Sequence, residues 1–105
     1  MSYYERIKDV SYYQISYMKH AVGFDSGLVR GTKHRRMVPY RNFYDAGERD
    51  IPGWDDLVRR GLAVKKSDHL YAVSQDGAEF LSQLTGVRLI GSFPKVEKRP
   101  TDCLG

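Results

Sequence analysis

The sequence holds a single cysteine, Cys103, so no intramolecular disulfide can form and a cysteine cage for zinc is excluded. A reducing compartment is the expectation. It also lacks any apolar run near the roughly 18 residues that a membrane helix needs, and its first ten residues, MSYYERIKDV, contain no apolar signal core. Together these absences predict a cytoplasmic protein with no membrane partner. Gly23, Gly27 and Gly31 are evenly spaced, yet no Gly-Lys-Ser/Thr follows, so a phosphate loop is not indicated. The three histidines, His20, His34 and His69, stand far apart, with no carboxylate at metal-ligand spacing. Asp55-Asp56 suits a helix start better than acid-base work, and Cys103 near the C-terminus would lack a held partner for an activated thiolate. The expectation is a non-enzymatic protein without metal or cofactor.

At 105 residues the chain suffices for one small domain with a modest core. Its aromatic content is unusual, with eight Tyr, four Phe and one Trp. Net charge is +4, and its placement says more than its size. Residues 30–46 carry five basic and one acidic group, and residues 87–105 four basic and two acidic; the remainder is net −2. The positive excess therefore belongs to one internal segment and a C-terminal arm.

Ser11-Tyr12-Tyr13-Gln14 has the form of a capping box and predicts a helix from about Tyr12 to Val22, with Ile15, Met18 and Val22 on one face and Gly23 as its stop. The first ten residues extend that helix or form a separate turn. Residues 23–39 read as loop or short strand, with a brief strand over Lys33–Met37. Tyr40–Ala46 reads as a short helix with Phe43 as its apolar contact, and Gly47–Gly53 as a polar turn. A two-turn helix follows over Trp54–Arg60, with Trp54 as a core anchor, Asp55 and Asp56 at its N-terminal end and Gly61 closing it. Leu62–Lys66 and His69–Val73 form a β-hairpin across a polar turn. Ser74 caps a last helix over Gln75–Leu84, in which Ala78, Leu81 and Leu84 share a face and which Gly86 ends. Residues 87–105 begin as a strand or arm and continue as a flexible tail.

From Trp54 to Leu81 the order helix, glycine, hairpin, capped helix resembles the second half of a winged-helix domain, with Leu57, Gly61, Leu62, Val64, Tyr71, Val73, Ser74, Gly77 and Leu81 at matching positions. In that arrangement Leu62 and Val64 point under the wing. The resemblance implies an α+β fold, a small winged-helix-like domain over residues 1–86 with three to four short helices and a β-hairpin wing, followed by a basic arm over 87–105. YMKHAVGFD, YRNFYDAG and the Trp54–Leu62 segment are further similar to small phage-encoded proteins, which implies a mobile-element origin and the cytosol of a host cell. One departure matters. The helix that would read a DNA groove is short, and the residues that lead it, Glu48, Arg49 and Asp50 with Asp55 and Asp56 just inside, are mostly acidic; carboxylates facing phosphate are repelled.

The basic candidates lie elsewhere. Arg30, Lys33, His34, Arg35, Arg36 and Arg41 are interleaved with Tyr40, Phe43 and Tyr44, a composition suited to phosphate contact with aromatic stacking. Lys65, Lys66 and His69 would stand at or near the wing. The leading expectation is a regulator that binds nucleic acid or a nucleoprotein complex through this basic loop and wing. The alternative is a protein-directed inhibitor or adaptor of host transcription or defence machinery, of the anti-CRISPR type, resting on the acidic pre-wing helix and on Tyr3, Tyr4, Tyr12, Tyr13 and Tyr17. For those tyrosines, homodimer packing or partner binding is one reading and plain core and surface packing the other.

Overall fold

In the computed structural model of the protein, which describes residues 2–96, the capping box at Ser11 is formed. Ser11 Oγ accepts from the Gln14 amide at 3.1 Å, and the Ser11 amide donates to Gln14 Oε1 at 2.9 Å. Helix α2 follows over Tyr12–Ala21. The first residues make their own short helix, α1, over Tyr3–Ile7, capped by Ser2. Asp9, in the left-handed region at φ 62°, turns the chain between the two helices.

Two elements differ from the expectation. Tyr40–Ala46 is extended rather than helical, and Tyr44–Asp45 forms strand β2. Its backbone is engaged from outside: the Phe43 amide donates to the Ala21 carbonyl, the Ala46 amide donates to the His69 carbonyl, and Asn42 clamps both the N–H and C=O of Val73 at 2.8 Å. Long-range pairing overrides a weak local preference, and Phe43 is left exposed. The second difference is helix α3, Ile51–Arg59, which begins a turn before Trp54. Pro52 lies in its first turn, where a missing N–H costs nothing. Asp55 and Asp56 therefore sit in mid-helix rather than at its start.

Beyond α3 the sequence signals hold more closely. Gly61, at φ 78°, lets the chain reverse: its N–H bonds to the Val58 carbonyl and that of Leu62 to the Leu57 carbonyl, the paired bonds of a Schellman turn. Strands β3 (Ala63–Ser67) and β4 (Leu70–Val73) form the expected hairpin, with an irregularity between Lys65 and Ser67. Under it Leu62 is fully buried as expected, but Ala63 is buried in place of Val64, which is half-exposed. Ser74 caps α4 (Gln75–Thr85) by accepting from the Gly77 amide at 3.0 Å while donating to the Gly61 carbonyl at 2.8 Å. Gly77 is obligatory here, since a Cβ would lie 2.0 Å from the Leu62 carbonyl oxygen. Leu84 does not share the buried face of Ala78 and Leu81; two steps of three residues carry it out of the stripe, and it is 51% exposed.

Two small sheets result. One has the order β2-β4-β3 and is antiparallel. In the other, β1 (Arg36–Met37) pairs in parallel with β5 (Arg88–Leu89). Val87 and Leu89 are buried in the same core as Met18, Trp54, Leu57, Tyr71 and Leu81, so the start of the 87–105 segment is part of the packed body. Cys103 and the rest of the arm from residue 97 lie outside the described residues. Among the described residues no helix is long and apolar enough to cross a membrane.

Trp54 is the centre of an aromatic stack, parallel to Tyr71 at 5.4 Å and to Tyr17 at 6.5 Å, with Tyr44 at 5.2 Å. The stack joins α2, β2, α3 and β4 into one unit. Tyr44 donates to Asp50 at 2.7 Å, and burial followed by that bond pushes its hydroxyl well above the usual tyrosine range.

Candidate functional site

The basic segment closes on itself. Arg30 and Arg36 exchange backbone hydrogen bonds at 2.8 and 2.9 Å, which makes residues 30–36 a loop with Lys33, His34 and Arg35 at its tip. Gly31 turns there at φ 92°. Pairing of β1 with β5 then sets Arg36 in register with Arg88. Arg30, Arg36 and Arg88 thus occupy successive positions across three backbone segments, and neighbouring strands are only about 4.8 Å apart. Like charges placed opposite one another are destabilising.

Beside this row lies an open cleft of about 530 Å³, lined by Lys33, His34, Arg35, Arg36 and Arg88, with Gln83 and the end of α4 at Gly86 on its other wall. Among the described residues the ion pairs are Arg6–Asp76, Arg59–Asp56, Arg60–Asp56, Lys65–Asp55 and His69–Asp45, so none draws on the cleft cations. All five cleft-lining basic side chains are exposed. Arg36 also donates through Nη1 to the His34 carbonyl at 3.4 Å, and Arg30, which does not line the cleft, donates from its guanidinium back to the Gly27 and Val29 carbonyls. The partial negative charge at the C-terminal end of α4 offsets a part of the repulsion. What the arrangement offers chemically is a set of exposed N–H donors without carboxylate partners, converging on one concavity, which suits phosphate oxygens.

Arg88 is not connected with the 30–36 cluster by local charge along the sequence. Its signal was present in the alternation Val87-Arg88-Leu89, in which the two apolar residues are buried and Arg88 faces out.

Tyr40 and Arg41 form a separate platform. Arg41 donates through Nε and Nη2 to the His20 carbonyl at 3.2 and 2.8 Å, so it caps the last turn of α2. Its guanidinium carbon lies 5.3 Å from the centre of the Tyr40 ring. That ring rests on Gly23, where a Cβ would come within 2.6 Å of it, and Tyr40 nonetheless remains 68% exposed. Of its expected aromatic companions, Phe43 is exposed while Tyr44 belongs to the core stack.

The hairpin residues do not join the cleft. Lys65 lies 3.5 Å from Asp55 and over the Tyr71 ring, and Tyr71 donates to the same carboxylate at 2.6 Å. That Tyr71 bond, reinforced by Lys65, holds the Asp55 carboxyl below its usual range. His69 Nδ1 lies 2.9 Å from Asp45. Lys66 is exposed at the hairpin. None of Lys65, Lys66 and His69 lines the cleft.

Helix α3 likewise commits its carboxylates to structural work, Asp55 at the surface and Asp56 partly buried. Asp56 accepts from Gln14 at 2.8 Å, Arg60 at 2.7 Å and Arg59 at 2.5 Å. Among the described residues no three of His, Cys, Asp and Glu gather as a metal site. Compared with known proteins, the chain matches no family model, and no curated protein or solved structure is significantly similar to it.

Proposed function

We propose that the protein is a non-enzymatic nucleic-acid-binding regulator that engages phosphates through the cleft between the 30–36 loop and β5. The observation that carries this reading is the row Arg30, Arg36, Arg88 beside exposed Lys33 and Arg35, a concentration of like charge that a polyanion would relieve. The winged-helix resemblance belongs to the same proposal, supported by the sequence from Trp54 to Leu81 and by the helix, hairpin, helix order of α3, β3-β4 and α4; the phage resemblance rests on YMKHAVGFD, YRNFYDAG and the Trp54–Leu62 segment alone. Within that reading the phosphate contact is displaced from the pre-wing helix, whose Asp55 and Asp56 already engage Lys65, Arg59 and Arg60, to the loop and sheet of β1 and β5.

Fluorescence anisotropy with labelled oligonucleotides at low ionic strength tests it. Four cleft cations (Lys33, Arg35, Arg36 and Arg88) predict a slope of log K against log salt of about −3, and replacing Arg35, Arg36 and Arg88 with alanine should remove most of it. Absence of binding to any oligonucleotide at low salt sinks the proposal.

A second reading, a protein-directed adaptor acting on host transcription or defence machinery, is favoured by one observation. Tyr4, Tyr12 and Tyr13 stand more than two-thirds exposed on α1 and α2, and such rings are common anchors of protein interfaces. Capture from host lysate with and without nuclease separates the readings: a partner lost with nuclease favours the first, one retained favours the second.

A further inference from the structure

The basic cleft does not end at Arg88. It shares Arg88 and Ile90 with a second depression of about 420 Å³ on the outer side of α4. That one shares Gly91 and Phe93 with a third, of about 240 Å³, beside Tyr40 and Arg41. Arg41 in turn borders a fourth, of about 260 Å³, which reaches Phe43 and His20. Each depression shares lining residues with the next, and in that order they make a track that is cationic at the 30–36 loop, apolar along Ile90 and Phe93, and lined at its far end by two exposed aromatic rings and an arginine.

Tyr40 and Phe43 are 68% and 53% exposed, although neither ring is needed where it stands to complete the core. Tyr40 is also in contact on two sides, with Gly23 beneath its ring and Arg41, held by the His20 carbonyl, against it. An exposed ring in a fixed position beside a cation offers a stacking surface at little entropic cost. A duplex cannot use such a surface, since its base faces are covered by one another. An unpaired base can.

We infer that the track takes single-stranded nucleic acid, with phosphates along Lys33, Arg35, Arg36 and Arg88 and bases stacked on Tyr40 and Phe43. This rests on the phosphate-binding reading above and adds to it the strand class and the two residues that read it. The carboxylates on the track are Glu79, on the wall of the second depression, and Asp45, which His69 holds in the fourth. Both lie off the cationic face, so the polarity along the track remains cationic to aromatic.

The test measures anisotropy of the full chain with labelled oligo(dT) and oligo(U) of about a dozen nucleotides, and with a blunt duplex of equal length. The single strands should bind more tightly than the duplex. Tyr40→Ala and Phe43→Ala should each weaken single-strand binding by about 5- to 100-fold, with the salt slope unchanged. Tyr40→Phe should retain binding, and Arg35→Ala with Arg36→Ala should flatten the slope while leaving the ring-dependent preference for single strands. Thermal unfolding of each variant separates a lost contact from a lost fold. Failure of every oligonucleotide at low salt overturns the phosphate-binding reading itself. Binding of duplex as tight as single strand, or single-strand binding indifferent to both alanine variants, overturns the strand assignment alone.

Discussion

Arg6 and Arg60 exchange guanidinium bonds across the molecule. Arg6 Nε donates to the Arg60 carbonyl at 2.8 Å, and Arg60 Nη1 donates to the Arg6 carbonyl at 3.0 Å and to that of Lys8. Arg6 also reaches the Gly61 carbonyl and Asp76, at 2.7 Å, while being 5% exposed. The pair locks α1 to the end of α3 and to the start of α4, closing the N-terminal residues onto the domain.

Removing one side of that lock should therefore be costly. Arg6→Ala takes a buried, charge-assisted set of bonds from the Arg60 and Gly61 carbonyls and from Asp76, and breaking such a pair costs about 3 kcal/mol or more. Urea unfolding should show a lower midpoint with an unchanged slope. A midpoint equal to wild type would mean that α1 docks through its apolar residues alone.

Asp56 makes stability acid-sensitive. Partial burial pushes its pKa up, but hydrogen bonds from Gln14, Arg60 and Arg59 outweigh that and bring it from 3.8 down to about 2. A carboxylate with a lowered native pKa stabilises the fold above its unfolded value, and the contribution disappears as pH falls from about 4 towards 2. Its size is at most about 2.5 kcal/mol. Asp56→Asn should be less stable than wild type at pH 7, and the difference between the two should shrink across that acid window in a series of denaturation curves.

Two glycines should behave in opposite ways. Gly77→Ala would force a Cβ to within 2.0 Å of the Leu62 carbonyl oxygen, so the start of α4 must move off the β3 entry, a change at the severe end of about 4 kcal/mol or more. Gly47→Ala meets nothing within 4 Å and has no left-handed φ, and should be neutral or stabilising by about 0.5 kcal/mol. Thermal melts of the two variants, compared with wild type, check both.

What the sequence made legible follows the range of the forces involved. The Ser11 and Ser74 caps, the Gly61 reversal, the Gly86 stop and the β3-β4 hairpin are all decided within a few residues of where they are read. The local pattern of β2 favours helix, whereas what makes it extended is Asn42 bonded to Val73 and Phe43 bonded to Ala21, partners far away in the chain. The same limit applies to the candidate site. Lys33, Arg35 and Arg36 could be named from local charge, but Arg88 joins them only through the two-residue β1-β5 pairing, whose register no local pattern specifies. Conversely Lys65 and His69 are basic residue types like those of the cleft, which is all that the sequence shows of them, yet carboxylates on α3 and β2 already engage them.

The unliganded protein should itself respond to anions. With Arg36 and Arg88 in register and Arg30 beside them, the native state concentrates positive charge that the unfolded chain disperses, so an anion bound in the cleft must stabilise folding by mass action. Tripolyphosphate should raise the melting temperature at constant ionic strength, by an amount that grows with the logarithm of its concentration once the cleft is filled. Arg36→Gln and Arg88→Gln should each blunt that rise, while Lys65→Gln, which alters a lysine already held by Asp55, should leave it intact. A rise equal in all four proteins would mean that the anion acts through general charge and that the cleft has no special affinity for phosphate.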